Sequence, residues 1–155
     1  MTDVQIVETG SPYVISRSIR VSAPPERVFD LLADPRRHAD FDGSGSVKGS
    51  VSGPERLSLG AKFGMGMRIV VPYRIGNQVK EFEEGRRIAW AHLSGHRWRY
   101  ELEPLADGGT QVTETFDATT ARSARALRLM DAYRRNARAI EETLPRLKAL
   151  AEEAQ

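Results

Sequence analysis

The 155-residue chain contains no cysteine. That absence excludes disulfides, thiolate metal centres and cysteine nucleophiles in one step, and it fits a reducing compartment. Long hydrophobic runs are missing too. None approaches the ~20 apolar residues needed to cross a bilayer, so no stable membrane insertion is expected. The opening MTDVQIVETG has neither the basic nor the apolar region of a signal peptide, and a cytoplasmic location is expected. A surplus of one charge sign is also lacking. The 23 basic and 21 acidic residues leave a net charge of +2, too small to define an anionic partner. Lysine occurs only at positions 48, 62, 80 and 148; the other basic side chains are arginine. Catalytic signatures are equally scarce. There is no GxSxG, GSGSVKG fails the GxxxxGK[ST] spacing, and GMGMRI sits in a strand-like run with no helix after it.

With 40% apolar and 28% charged residues, the composition is that of an ordinary globular protein, and the length fits one domain over 1–155. Tyr13–Val21 alternates Val14, Ser16 and Ser18 against Ile15, Arg17 and Ile19, the period of a half-buried strand. In SAPPERVFDLLAD, Ser22 can cap, Pro24 and Pro25 suit a first helical turn, and Val28, Phe29, Leu31 and Leu32 supply an apolar face. The helix ends at Asp34-Pro35, because proline disfavours the helical conformation before it. A second short helix is expected over about 35–40.

Strand-like runs follow at Val47–Val51, Ala61–Val71, Arg87–Leu93, Arg97–Leu105 and Thr110–Thr119, with Tyr73–Glu84 less regular. EEGRR, SGH and ADGG punctuate them as turns. In Arg97–Leu105, Trp98, Tyr100 and Leu102 share a face; in Thr110–Thr119, Val112, Glu114, Phe116 and Ala118 do. The last third reads as one long helix over about 122–153. Its stripe is Leu127, Met130, Tyr133, Ala137, Ile140, Leu144, Leu147 and Ala151, with a kink expected at Pro145. A curved antiparallel sheet with one apolar face must be covered, and this helix is the only large apolar partner.

This element order, with the stretches VSAPPERVFDLLADPRRHADFDGSGSV, GAKFGMGM, EEGRRIAWAHLSGHRWRYELEPLADGGTQVTETFD and ETLPRLKALAE, resembles the START/Bet v 1-like (SRPBCC) superfamily. The branch it is most similar to is bacterial polyketide cyclase/dehydrase and lipid transport. The resemblance covers nearly the whole chain. It implies an α+β helix-grip fold, with a sheet of about six or seven strands wrapped around the C-terminal helix and two short helices after the first strand. It also implies a cavity between sheet and helix that takes a small hydrophobic molecule: polyketide-like, aromatic or lipid. The superfamily has no universal catalytic motif, so the resemblance assigns no reaction.

Against that expected cavity, the apolar wall comprises Phe63, Met65, Met67, Trp90, Trp98 and Tyr100 from the strands. Phe116 adds to it from the last strand, and Leu127, Met130 and Tyr133 from the helix. Methionine adapts to varied ligand shapes, and Trp and Tyr add broad faces with one polar handle each. His92 and Glu114 fall in phase with these aromatics and are the candidate acid–base pair. A carboxyl on such a face must pair with a cation, meet water or keep its proton.

DPRRHADFDGSGSV, from Asp34 to Val47, offers His38, Asp40 and Asp42 but no metal-binding spacing, so no metal or cofactor is expected. Its histidine and aspartates are expected to cap, turn and remain wet, with Phe41 at the cavity mouth. Arg122, Arg125, Arg128, Arg134, Arg135 and Arg138 read as the solvated face of the last helix, with no nucleic-acid partner. Three functions stay open on the sequence: a ligand binder, a cyclase or dehydratase using His92 or Glu114, and a partner module, regulatory or toxin–antitoxin-linked, with a vestigial pocket. The sequence does not fix the oligomeric state.

Overall fold

The structure is a computed structural model that describes residues 3–43, 47–68, 72–91, 95–129 and 131–153. His92 and Met130 lie outside the described residues, as do the side chains of Met65 and Met67. Eight strands form one antiparallel sheet: β1 Gln5–Val7, β2 Val14–Val21, β3 Val47–Ser52, β4 Lys62–Arg68, β5 Pro72–Glu83, β6 Arg87–Ala91, β7 Arg97–Pro104 and β8 Thr110–Asp117. Their spatial order is β1-β2-β8-β7-β6-β5-β4-β3. β3 to β8 therefore run as a meander of hairpins, and β2 joins its far side by pairing with β8. The short β1, absent from the sequence reading, extends the edge through three pairs with β2.

Residues opposite one another in an antiparallel ladder share a face. Three inward rows follow from the register. Ile15, Phe116, Trp98, Trp90 and Val79 form one; Arg17, Glu114, Tyr100, Ile88 and Phe82 the next; Ile19, Val112 and Leu102 the third. The irregular reading of β5 has a physical cause. A register shift between Val79 and Glu81 puts one extra residue into the strand, so Val79 and Phe82 both face inward although three apart. The bulge carries Glu81 onto the outer face, where it accepts from Arg97 at 2.8 Å and from Arg99 at 2.8–3.2 Å.

Helix α1 spans Pro25–Ala33, with Val28, Phe29, Leu32 and Ala33 buried. Its N-cap position falls on Pro24, two residues beyond the expected Ser22, and prolines preset the first turn. Asp34 then accepts from the Arg36 amide at 3.0 Å and opens a 3-10 turn, Pro35–Arg37, which runs into α2, His38–Phe41.

The C-terminal segment is two helices, not one. α3, Ala124–Leu129, is followed by Asp131 at φ 58° and then by α4, Ala132–Glu152. A short polar side chain tolerates that left-handed conformation best among non-glycine residues. The expected stripe holds on both sides of the break: Leu127, Tyr133 and Ala137 are half-buried, and Ile140, Leu144, Leu147 and Ala151 buried. Leu129 is 90% exposed while Ala132 is buried, and the Tyr133 hydroxyl donates to the Ala124 carbonyl at 3.0 Å, clipping α3 back onto α4. Pro145 lies within α4, flanked by fully buried Leu144 and Leu147, whose packing holds the helix through it. The C-terminal end of α4 is capped by Arg27, whose guanidinium donates to the carbonyls of Ala151 and Glu153. α4 packs across the concave face, over β2 and β8 and against α2. This is a helix grip.

Candidate functional site

The concave face carries two aromatic groups that meet at the Trp90–Trp98 pair, with a carboxyl in the neighbouring row. The first centres on His38. The ring is 3% exposed, stacks on Trp90 at 4.7 Å between centroids, and lies 5.4 Å from Phe41 and 5.5 Å from Phe63. Its Nε2–H donates to the Leu32 carbonyl at 2.9 Å, which makes Nδ1 the acceptor nitrogen. Burial lowers the His38 pKa to about 4, against the opposing effects of the Leu32 bond and the charges of Asp34 and Asp42. The imidazole is therefore neutral at physiological pH.

This overturns the expectation that His38 stays wet. The sequence signal for burial was present: His38 and Phe41 are three apart in one helical turn and share a face. The rest of the stretch divides. Asp34 caps and Asp40 is exposed, pairing with Arg37 at 2.7 Å. Arg36 donates to the carbonyls of Gly53 and Pro54, both at 3.0 Å, tying the 3-10 turn to the β3–β4 connection.

The second group is Trp98, Phe116 and Tyr133, with ring separations of 5.1 and 5.7 Å. Sequence reasoning placed His96 in a turn. It is buried, 5.0 Å from Phe116, and is a residue of this group that the sequence reading missed. Its position one residue before Arg97–Pro104, in phase with Trp98, was the available clue. Leu127 is partly buried against the same core.

Glu114 lies in the neighbouring row, opposite Tyr100. The residue is 3% exposed, and the Tyr100 hydroxyl donates to its Oε2 at 2.9 Å. Its Oε1 is buried and has no hydrogen-bond partner among the described residues. Burial pushes the Glu114 carboxyl up to about 8; the Tyr100 bond pulls partly back and the Asp42 charge adds to the rise. Burial, and then Glu114 itself, hold the Tyr100 phenol well above its ordinary range. At neutral pH this pair is a carboxylic acid beside a phenol. Arg17 lies opposite Glu114 in the β2–β8 register, and its Nε is 3.8 Å from Glu141 Oε2 of α4.

The loop after α2 is fastened to α4. Gly43 N–H donates to Thr143 Oγ1 at 2.8 Å, and Arg146 donates to the Asp42 carbonyl at 2.8 Å. A Cβ at Gly43 would fall 2.6 Å from the Thr143 amide nitrogen and 2.7 Å from the Ala139 carbonyl oxygen, so only glycine allows this approach. Phe41, 2% exposed, fills the space beneath.

A separate open cleft of about 540 Å³ is lined by Ser52, Gly64, Gly76, Gln78, Ala91 and neighbours including Lys62 and Lys80. Ser52 pairs with Gly64, Gly64 with Gly76 and Gln78 with Ala91, so this cleft opens on the outer face, away from Glu114 and His38. The paired glycines leave that part of the sheet without side-chain bulk. No cluster of three or more His, Asp or Glu side chains suited to a metal ion occurs among the described residues.

Comparison with known proteins gives the same architecture. A crystal structure of a Rhodobacter sphaeroides protein superposes with a TM-score of 0.75 at 16% identity, covering 98% of this chain and 99% of that one. The solution structure of an Arthrobacter aurescens protein gives 0.69 at 18% identity, with 99% of each chain covered. An uncharacterised Mycobacterium tuberculosis protein, Rv0088, is 44% identical over 118 residues, which are 76% of this chain and 52% of that protein. The chain thus spans about half the length of the curated relatives it matches. The model of one family matches residues 13–152, nearly the whole of the grip from β2 to the last turn of α4, and the chain belongs to that family, polyketide cyclase / dehydrase and lipid transport.

Proposed function

We propose that the chain binds a small hydrophobic molecule, polyketide-like, aromatic or lipid, between the concave face of the sheet and α4. The observation that carries this reading is the composition of that face. Trp90, Tyr100, Phe63, Trp98 and Phe116 form nearly continuous aromatic surface, and within it one buried carboxyl oxygen has no partner. Apolar burial would supply affinity and the few polar groups orientation, the usual division in small-molecule sites. The family match and the cysteine-free sequence fit an intracellular carrier or receptor of such a molecule.

Native mass spectrometry of the protein purified from its own host tests this. A retained small molecule that denaturation releases is the expected result. A bare polypeptide mass, together with no thermal stabilisation by host lipid extract, overturns it, since a ligand bound only by the native state must raise its stability.

A second reading, a cyclase or dehydratase, is favoured by the state of Glu114. An acid with a pKa near 8, bonded to a phenol, is poised to exchange a proton with a carbonyl substrate at neutral pH. In that reading Glu114, or His92, is the acid–base group. Replacing Glu114 by Gln would then abolish turnover while leaving substrate binding in place; retention of turnover in both Glu114→Gln and His92→Ala would remove the enzymatic reading.

A further inference from the structure

The two oxygens of Glu114 are used unequally. Oε2 accepts from the Tyr100 hydroxyl. Oε1 is sealed from solvent and meets no donor or acceptor among the described residues. In the arrangement with Tyr100 as donor to Oε2, a proton held by the carboxyl is carried by Oε1. That leaves an O–H donor, buried among aromatic rings, with nothing in the protein to receive it. A buried polar group without a partner costs free energy, and an occupant of the site that completes the bond recovers it.

We infer that Glu114 selects the chemical class of the ligand: it donates from Oε1 to a carbonyl or similar acceptor oxygen on an uncharged apolar molecule. This rests on the ligand-binding reading above and adds to it which end of the ligand is polar and of what kind. The charged groups around Glu114 favour the same class. Asp42, after α2, adds negative charge. Glu141 on α4 adjoins Arg17, the cation on β2 that faces Glu114 in register. Tyr100 on β7 is already committed as a donor to Glu114. A ligand carboxylate would set its charge against that of Asp42, with Arg17 already adjoining Glu141. An ammonium, having only donors, would first have to strip the proton from Oε1.

Three probes of one shape separate the possibilities: 2-acetylnaphthalene, which carries an acceptor; 2-ethylnaphthalene, which lacks one; and naphthalen-2-ylmethylammonium. Binding is read from quenching of the two tryptophans, Trp90 and Trp98, both on the inward face. At pH 6.5 the wild type is expected to bind the ketone about tenfold more tightly than the hydrocarbon, the worth of one hydrogen bond. At pH 9.5, with Glu114 ionised, that preference should vanish. Glu114→Gln keeps an N–H donor and should retain the preference at both pH values. Glu114→Leu should lose it at both while still binding the hydrocarbon. If the leucine variant does not fold, the wild-type pH series and the glutamine variant decide the question alone.

Equal binding of ketone and hydrocarbon by the wild type overturns the inference but leaves the hydrophobic-ligand reading standing. Tightest binding by the ammonium, or a ketone preference that survives in Glu114→Leu, does the same. Failure of all three probes to quench overturns both.

Discussion

At the scale of single residues, two of the buried titratable groups, Glu114 and His38, act on stability in opposite directions. Glu114 has a folded pKa of about 8, above its ordinary value near 4.5. The folded state therefore keeps a proton that the unfolded chain has released, and stability falls as pH rises through the window between those values. Glu114→Gln should remove this loss. Urea melts at pH 5 and pH 9 should show wild type and variant diverging by roughly 3–5 kcal/mol, the variant being the more stable at high pH.

His38 has a folded pKa of about 4, below the ordinary 6.5. Its stabilising contribution is complete above pH 6.5 and is lost as pH falls toward 4, by roughly 3 kcal/mol. A His38→Gln variant should show a flatter pH dependence over that window, even if it is less stable at pH 7. An unchanged acid limb would contradict the burial described here. His38 also shows why residue-level reading was incomplete. Composition alone set it among aspartates and arginines, whereas its helical spacing from Phe41 decides its environment.

At the scale of elements, the alternating strands were legible because each buries one face. β2, β7 and β8 keep strict period two, and their inward residues follow from the sequence directly. β5 did not read cleanly because the bulge at Lys80 breaks the period, and nothing local marks an inserted residue. The long helix misled for a related reason. A stripe at helical spacing runs through Leu127, Tyr133 and Ala137 and stays half-buried, so it carries no mark of the backbone's change of hand at Asp131. At Asp131, glycine adopts φ 58° freely and a β-branched residue resists it. Asp131→Gly should leave the melting temperature unchanged or raise it slightly. Asp131→Val should cost about 1–2 kcal/mol, measurable by thermal or urea melts.

The loop latch is the second element-scale device. Gly43 touches the α4 backbone directly, so Gly43→Ala forces the mouth loop off Thr143. Faster hydrogen exchange confined to the segment from α2 into β3 is the expected signature; exchange unchanged there would show that the contact is dispensable.

At the scale of the whole molecule, eight strands grip one helix and bring residues from β5, β6, β7, β8 and α2 to one surface. The sequence revealed which residues face inward on β6, β7 and β8. It did not reveal their pairing, and pairing is what makes a site: Tyr100 meets Glu114 only because β7 and β8 share a register. Among the described residues the partner of Glu114 is a phenol, which the sequence reading had not named.

The chain's aromatic residues are few, at 7%, yet both tryptophans stand opposite each other on the inward face, at Trp90 and Trp98. That placement supplies the most direct measurement of the central claim. Titration with N-phenyl-1-naphthylamine, an uncharged apolar acceptor of tryptophan emission, should quench the intrinsic fluorescence along a saturable curve with one molecule per chain, reversed by host lipid extract. A linear, unsaturable response, or saturable binding that leaves tryptophan emission untouched, would contradict a ligand site between the sheet and α4.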